Sequence, residues 1–339
     1  VLGAGGILGE AWMSALLAGI EERTGIDFRR AESLVGTSAG SIVAASLSAG
    51  RRPAPPEVRV SEARATRRSS ARSAQGGRGR RVPARGRSPD RAEEAYARSA
   101  ADAAGSGGSS EARAGRRGAT DPLRWLVGAV ASTAAPLAPL ALTASAPGGA
   151  LVRAALLAGA PEGTRTLGPV ASGLDRAGAR FDGRLRVCCV DKATGRRVVF
   201  GAPGAPPARV GEAVAASCAI PSVFRPVRIG GRLYVDGGVW SLTNLDAATV
   251  AHDTQVLCLN PTGGVGAGPL SPLAAVRTAL RAAEAVEVAV LRRRGAQVRV
   301  IVPEGEAARA LGVNLMDPRP RTKVAGAGYR QGLAIGAGE

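Results

Sequence analysis

Leu34-Val35-Gly36-Thr37-Ser38-Ala39-Gly40-Ser41-Ile42-Val43 runs from an apolar step through Gly-x-Ser-x-Gly into an Ala/Ile/Val-rich helical pattern. The pattern predicts a strand near Ser33–Val35, a tight turn carrying Ser38, and a helix over Ser41–Ala49. That is the sequence form of a nucleophile elbow, a serine held on a cramped turn between strand and helix. Gly36 and Gly40 fit because a side chain at either place would collide with the neighbouring strand or helix. The following helix turns its free N–H groups and positive dipole end toward the serine, where an oxyanion would form. With 47 glycines in 339 residues the five-residue pattern is weak alone. Its strand-before, helix-after context strengthens it.

Two further stretches bear on it. The chain opens Val1-Leu2-Gly3-Ala4-Gly5-Gly6-Ile7-Leu8-Gly9, followed by a helical pattern from Glu10 to Arg23. A strand, a glycine loop and a helix offer backbone N–H groups to an anion. A dinucleotide fingerprint is one reading, but Leu8 stands where its third glycine belongs and no acidic residue clearly ends a second strand. An oxyanion hole formed near Gly5 and Gly6 is another, and a plain tight turn a third. Farther on, Val227-Arg228-Ile229-Gly230-Gly231-Arg232-Leu233-Tyr234-Val235-Asp236-Gly237-Gly238 reads as a β-hairpin about Gly230-Gly231. Asp236 then sits at a strand end among small residues. A carboxylate there suits a base that must reach a serine, although Asp-Gly is also an ordinary turn pair.

Together these stretches resemble the patatin-like phospholipase family. The similarity takes in the glycine loop, Gly36-Thr37-Ser38-Ala39-Gly40, Ala216-Ser217-Cys218-Ala219-Ile220-Pro221 and Asp236-Gly237-Gly238. It continues through Gly195-Arg196-Arg197-Val198-Val199-Phe200 and Asn314-Leu315-Met316-Asp317-Pro318. The resemblance implies that Ser38 is the nucleophile, Asp236 its partner in a catalytic dyad, and Gly3, Gly5 and Gly6 the lining of the oxyanion hole. It also implies a lipid or phospholipid substrate. The family's glycine loop usually carries an arginine where this chain has Leu8, so headgroup preference is open.

A Ser-His-Asp triad would need His252, the one histidine, 16 residues after Asp236. The order Ser38, Asp236, His252 fits such a triad. Yet His252 precedes the strand-like Gln255-Val256-Leu257-Cys258-Leu259, at the end of a parallel strand away from where active sites form. A Ser38–Asp236 dyad is therefore expected, and that chemistry needs no metal or organic cofactor.

Formal net charge is +18, and 45% of residues are hydrophobic but only 3% aromatic, which implies a core of Ala, Val and Leu. Cys188, Cys189, Cys218 and Cys258 form no disulfide framework or metal-ligand spacing, so they read as buried thiols in a reducing, cytoplasmic compartment. The chain begins inside a strand without a start methionine, as a trimmed N-terminus would. Residues 51–120 hold 17 Arg against 7 acidic residues and almost no large apolar side chain. Such a segment reads as a disordered insertion, attracted to anionic lipid headgroups or simply a solvated linker. No aromatic interleaving supports nucleic acid as its partner. Trp125 to Val152 is uncharged but interrupted by Pro136, Pro139 and Pro147. It suits an apolar lid or interfacial segment (taken as 121–160) better than a membrane span.

The expected architecture is one α/β domain over 1–339, a three-layer α/β/α sandwich around a mainly parallel sheet. Later elements are expected as strands Leu185–Val190, Arg197–Phe200, Val256–Leu259 and Val298–Val302, and helices Val210–Cys218, 271–294 and 317–334. Gly326, Gly328 and Gly332 weaken the last helix. The expected function is acyl-ester hydrolysis. Its rival is a non-catalytic protein that docks peripherally on anionic membranes.

Overall fold

A computed structural model of the protein describes residues 1–53, 55–56, 149–264 and 273–338. The insertion expected at 51–120 and the uncharged stretch up to 148 lie outside the described residues, apart from the first few positions. Among the described residues no helix is long and apolar enough to cross a membrane.

The sheet is assembled around β1 (Leu34–Thr37) and β2 (Leu185–Asp191), which pair in parallel from Leu34↔Leu185 to Thr37↔Cys188. Leu2 bridges in parallel to both Gly36 of β1 and Leu259 of β6 (Gln255–Leu259). β6 in turn pairs in parallel with β7 (Gln297–Ile301). The parallel run is therefore β7, β6, the Leu2 segment, β1, β2. Antiparallel pieces are added at β2: β3 (Arg197–Phe200), and the hairpin of β4 (Val227–Ile229) and β5 (Arg232–Asp236). The hairpin turns on Gly230 (φ 54°) and Gly231 (φ 81°), the doubly left-handed pair that matches strand twist.

Alternation along the strands sends side chains to two cores. Leu34, Val187 and Cys189 join a core with α1 (Gly6–Thr24), α2 (Ala39–Ser48) and α5 (Val210–Ser217). α7 (Gly305–Leu311) and α8 (Arg321–Ala337) add to the same core. Val35, Cys188 and Cys258 face the other way, against Leu245 and Leu291 of α6 (Leu273–Arg293). Helices on both faces of the sheet make the three layers. Two further helices among the described residues are α3 (Gly149–Gly159) and α4 (Gly168–Arg176).

α1 is buried continuously from Ile7 to Ile20. A helix that is apolar all round belongs in a protein's interior, and this one is sandwiched by α2 and α8. It starts at Gly6, four residues before the position predicted from sequence, and ends on the left-handed Gly25 (φ 75°). Two of the three glycines expected to weaken α8, Gly328 and Gly332, lie where it crosses α1. A Cβ at Gly328 would lie 2.9 Å from the Trp12 carbonyl oxygen, and one at Gly332 2.2 Å from that of Leu16. Close helix contact recovers what low helix propensity costs. The four cysteines are buried free thiols.

Candidate active site

β1 ends at Thr37, and Ser38 follows with φ 52° and ψ −124°, after which α2 begins at Ala39. A positive φ is uncommon for a serine, and such strain persists only where the surroundings enforce it. They do so here on three sides. A Cβ at Gly36 would meet the Ser41 Cα at 2.4 Å, and one at Gly40 the Leu2 carbonyl oxygen at 2.1 Å. The Ser38 N–H is held by Ser217 Oγ at 2.9 Å, and Ser217 in turn donates to the Cys188 carbonyl at 2.7 Å.

Strand pairing delivers the carboxylate. Residues 187–190 of β2 give one edge to β3, so β1 and β5 must share the other edge. β1 runs parallel to β2 and reaches Cys188 with Thr37; β5 runs antiparallel and reaches Cys189 with Asp236. The two strands thus converge end to end, and the residues at their tips meet. Ser38 Oγ donates to Asp236 Oδ2 at 2.7 Å. Asp236 Oδ1 accepts from the Gly238 N–H at 2.7 Å, which fixes the carboxylate plane. Gly237 is required by the same convergence: its Cβ would stand 2.2 Å from the Cys188 carbonyl oxygen.

Asp236 is fully buried and Ser38 is 3% exposed. Desolvation pushes the Asp236 pKa up to about 7, against the opposing pull of the hydrogen bonds from Gly238 and Ser38. A carboxylate raised to neutrality is a far better proton acceptor than an ordinary aspartate.

The glycine loop abuts the elbow: Thr37 donates its N–H to the Leu2 carbonyl at 3.0 Å. Of the three glycines expected to line an oxyanion hole, Gly3 has its N–H committed to the Leu259 carbonyl at 2.9 Å. The sheet pairing of the Leu2 segment takes that donor, a cost not visible in the loop's sequence. Among the described residues no acceptor takes the N–H groups of Gly5 or Gly6, nor that of Ala39 at the start of α2.

His252 is elsewhere. It lies before the N-terminal end of β6, whereas Ser38 lies past the C-terminal end of β1, which runs the same way with the Leu2 segment between the two strands. Its side chain is 83% exposed, and Nδ1 contacts Asp253 Oδ2 at 2.8 Å. The structure therefore brings Ser38 and Asp236 together and leaves His252 out, which removes the geometric basis of the triad alternative.

Sequence reasoning gave no role to Ser217 or Asn244. The segment Ala216–Ala219 backs both Ser38 and Asp236, since the Ala219 carbonyl accepts the Asp236 N–H at 3.0 Å while Ser217 holds Ser38. A serine closing the apolar run Ala213–Ala216 was the available signal. Asn244 is buried beneath the site, and in sequence it belongs to an unremarkable loop cluster, Ser241-Leu242-Thr243-Asn244.

A comparison with curated proteins finds no match to the chain. The family model described as patatin-like phospholipase matches residues 1–249, a stretch that includes the glycine loop, the elbow and the Asp236 hairpin. The chain belongs to the patatin-like phospholipase family, a family of lipid hydrolases.

Proposed function

We propose that the protein hydrolyses fatty-acyl esters of lipids, phospholipids among them, through Ser38 and Asp236. The observation that carries this reading is the 2.7 Å contact between Ser38 Oγ and a buried Asp236 carboxylate whose pKa stands at about 7. Asp236 takes the Ser38 proton as Oγ attacks the acyl carbonyl carbon. The tetrahedral oxyanion is held by the free N–H groups of Gly5 and Gly6, with that of Ala39 and the dipole of α2 adding to the field; one such donor is commonly worth about 3–4 kcal/mol. The C–O bond to the lipid alcohol then breaks, and Asp236 returns its proton to the leaving oxygen. Water next gives a proton to Asp236 while its oxygen attacks the acyl-enzyme. The fatty acid departs and Ser38 recovers its proton.

In this reading the chain is one catalytic domain, since its two ends share one core. Trp12 Nε1 donates to Gln331 Oε1 at 3.0 Å, and Glu10 pairs with Arg321. Lipid is the substrate, and anionic membrane is the surface it is met on.

The test is turnover of p-nitrophenyl esters by wild type, Ser38→Ala and His252→Ala across pH 5–9. Ser38→Ala should be inactive and His252→Ala should match wild type within about twofold. The sign of the pH dependence follows from the base: protonated Asp236 cannot accept, so kcat/KM should rise through a single limb near pH 7 and level off above it. An ordinary aspartate, titrating near 4, would give a flat profile over that range. A flat profile, or an inactive His252→Ala protein, would overturn the dyad reading.

A further inference from the structure

We infer that Asn244 is the positioning residue that sets the Ser38–Asp236 contact, by tying together the two strand ends that carry them. The inference rests on the dyad reading above. The two hydrogens of the Asn244 side-chain amide are shared among three acceptors, the Ser241 carbonyl at 2.6 Å, Thr37 Oγ1 at 3.1 Å and the Gly237 carbonyl at 3.2 Å. Thr37 is the residue immediately before the serine, and Gly237 the residue immediately after the aspartate. One planar amide therefore spans the junction where β1 and β5 run into each other. The two strands have no ladder hydrogen bonds to each other there, because each pairs with β2. Beside the Ser38–Asp236 hydrogen bond itself, Asn244 supplies a direct link between them.

Three observations set this amide apart from an ordinary loop asparagine. It is fully buried, so its donors have exchanged water for these partners. Its backbone is left-handed, with φ 49° and ψ 38°, at the head of the short 3-10 turn Leu245–Ala247, yet its side chain makes no capping bond to that turn. And its own place is braced. Its N–H goes to Ser241 Oγ at 3.0 Å and its Oδ1 accepts from Arg197 Nη1 at 3.3 Å. Glu287 of α6 accepts from Thr243 Oγ1 at 2.6 Å and from the Leu245 N–H at 2.8 Å, on either side of it. The side chain is oriented toward the dyad rather than toward its own turn.

The variant that isolates the amide is Asn244→Gly, because glycine keeps the left-handed backbone without strain. Thr37→Val removes the acceptor on the other side at nearly constant shape. Enzyme concentration is fixed by titrating Ser38 with a fluorophosphonate, so that loss of folded protein does not count. Per titrated site, Asn244→Gly should lower kcat by 10–100-fold on the general rule that a 1 Å misplacement costs about that much. KM should stay put, and the pH midpoint near 7 should hold or rise but not fall, since Asp236 stays buried and keeps its Gly238 hydrogen bond while only the Ser38 hydrogen bond, which lowers the pKa, is loosened. Thr37→Val should lower kcat in the same sense, and the double variant should lose no more than Asn244→Gly alone, because both cut one link. A purely structural asparagine would lower the titrated fraction and leave kcat per site at the wild-type value. That result, with Ser38→Ala inactive, would overturn the positioning role and leave the dyad standing. Activity retained by Ser38→Ala would overturn both.

Discussion

Asp236→Asn is expected to abolish ester hydrolysis and to raise the melting temperature of the same protein at pH 8. The loss follows from chemistry: an amide cannot take the Ser38 proton in either half of the reaction, which costs about 10^4-fold in kcat. The gain follows from burial. The folded-state pKa of Asp236 is about 7 against a reference of 3.8, so between those values the native state holds a proton that the unfolded chain has released. Stability tied to this group is fully present below pH 4, falls as pH rises, and is lost above about 7. Three pKa units correspond to at most about 4 kcal/mol, the cost of keeping a bare carboxylate in this interior. Asparagine carries no charge, still offers an oxygen to the Gly238 N–H, and can donate to Ser38 Oγ. Urea unfolding of both proteins at pH 5 and pH 8 should show the variant ahead, by more at pH 8. A variant less stable than wild type at pH 8 would contradict the electrostatic account of the site.

The second large effect is on folding. Gly40→Ala would place a Cβ 2.1 Å from the Leu2 carbonyl oxygen, 2.4 Å from its carbon and 2.7 Å from the Gly3 carbonyl oxygen. All three are backbone atoms, and the Leu2 segment is fixed between β1 and β6. Neither side can yield without opening the sheet. The expected cost exceeds about 4 kcal/mol, a large share of what holds a typical domain together. Gly168→Ala is the matched control, because its nearest neighbour is Thr166 Oγ1 at 3.6 Å. Gly40→Ala should yield little folded protein and Gly168→Ala a normal unfolding curve. A folded, cooperative Gly40→Ala protein would show that the elbow is looser than drawn.

Much of this was legible in the sequence because it is local. Gly-x-Ser-x-Gly between an apolar step and a helical pattern, and alternating residues about Gly230-Gly231, each specify their own short structure. Boundaries set by distant partners were less legible. β1 extends to Thr37 instead of stopping near Val35 because Leu2 pairs with Gly36 and Cys188 with Thr37. The commitment of the Gly3 amide to Leu259 and the glycine contacts between α1 and α8 are long-range facts of the same kind. Arg153 shows the limit most clearly. It follows an uncharged stretch and would be placed in solvent, yet it is 1% exposed. There it donates from Nε to the Gly195 carbonyl at 2.9 Å and lies 4.1 Å above the Trp240 ring. Ser217 and Asn244 were passed over for a similar reason. Serine and asparagine are common at helix ends and loops, and only the convergence of β1 with β5 gives these two a task.

The most direct test of the central claim is to trap the intermediate. Wild type would be quenched in acid during turnover of a slow acyl ester, and its peptides mapped by mass spectrometry. The account predicts one added acyl group, on Ser38, that disappears in Asp236→Asn. An acyl group on any other residue, or steady hydrolysis with no acyl-enzyme under conditions where acylation is fast, would contradict it.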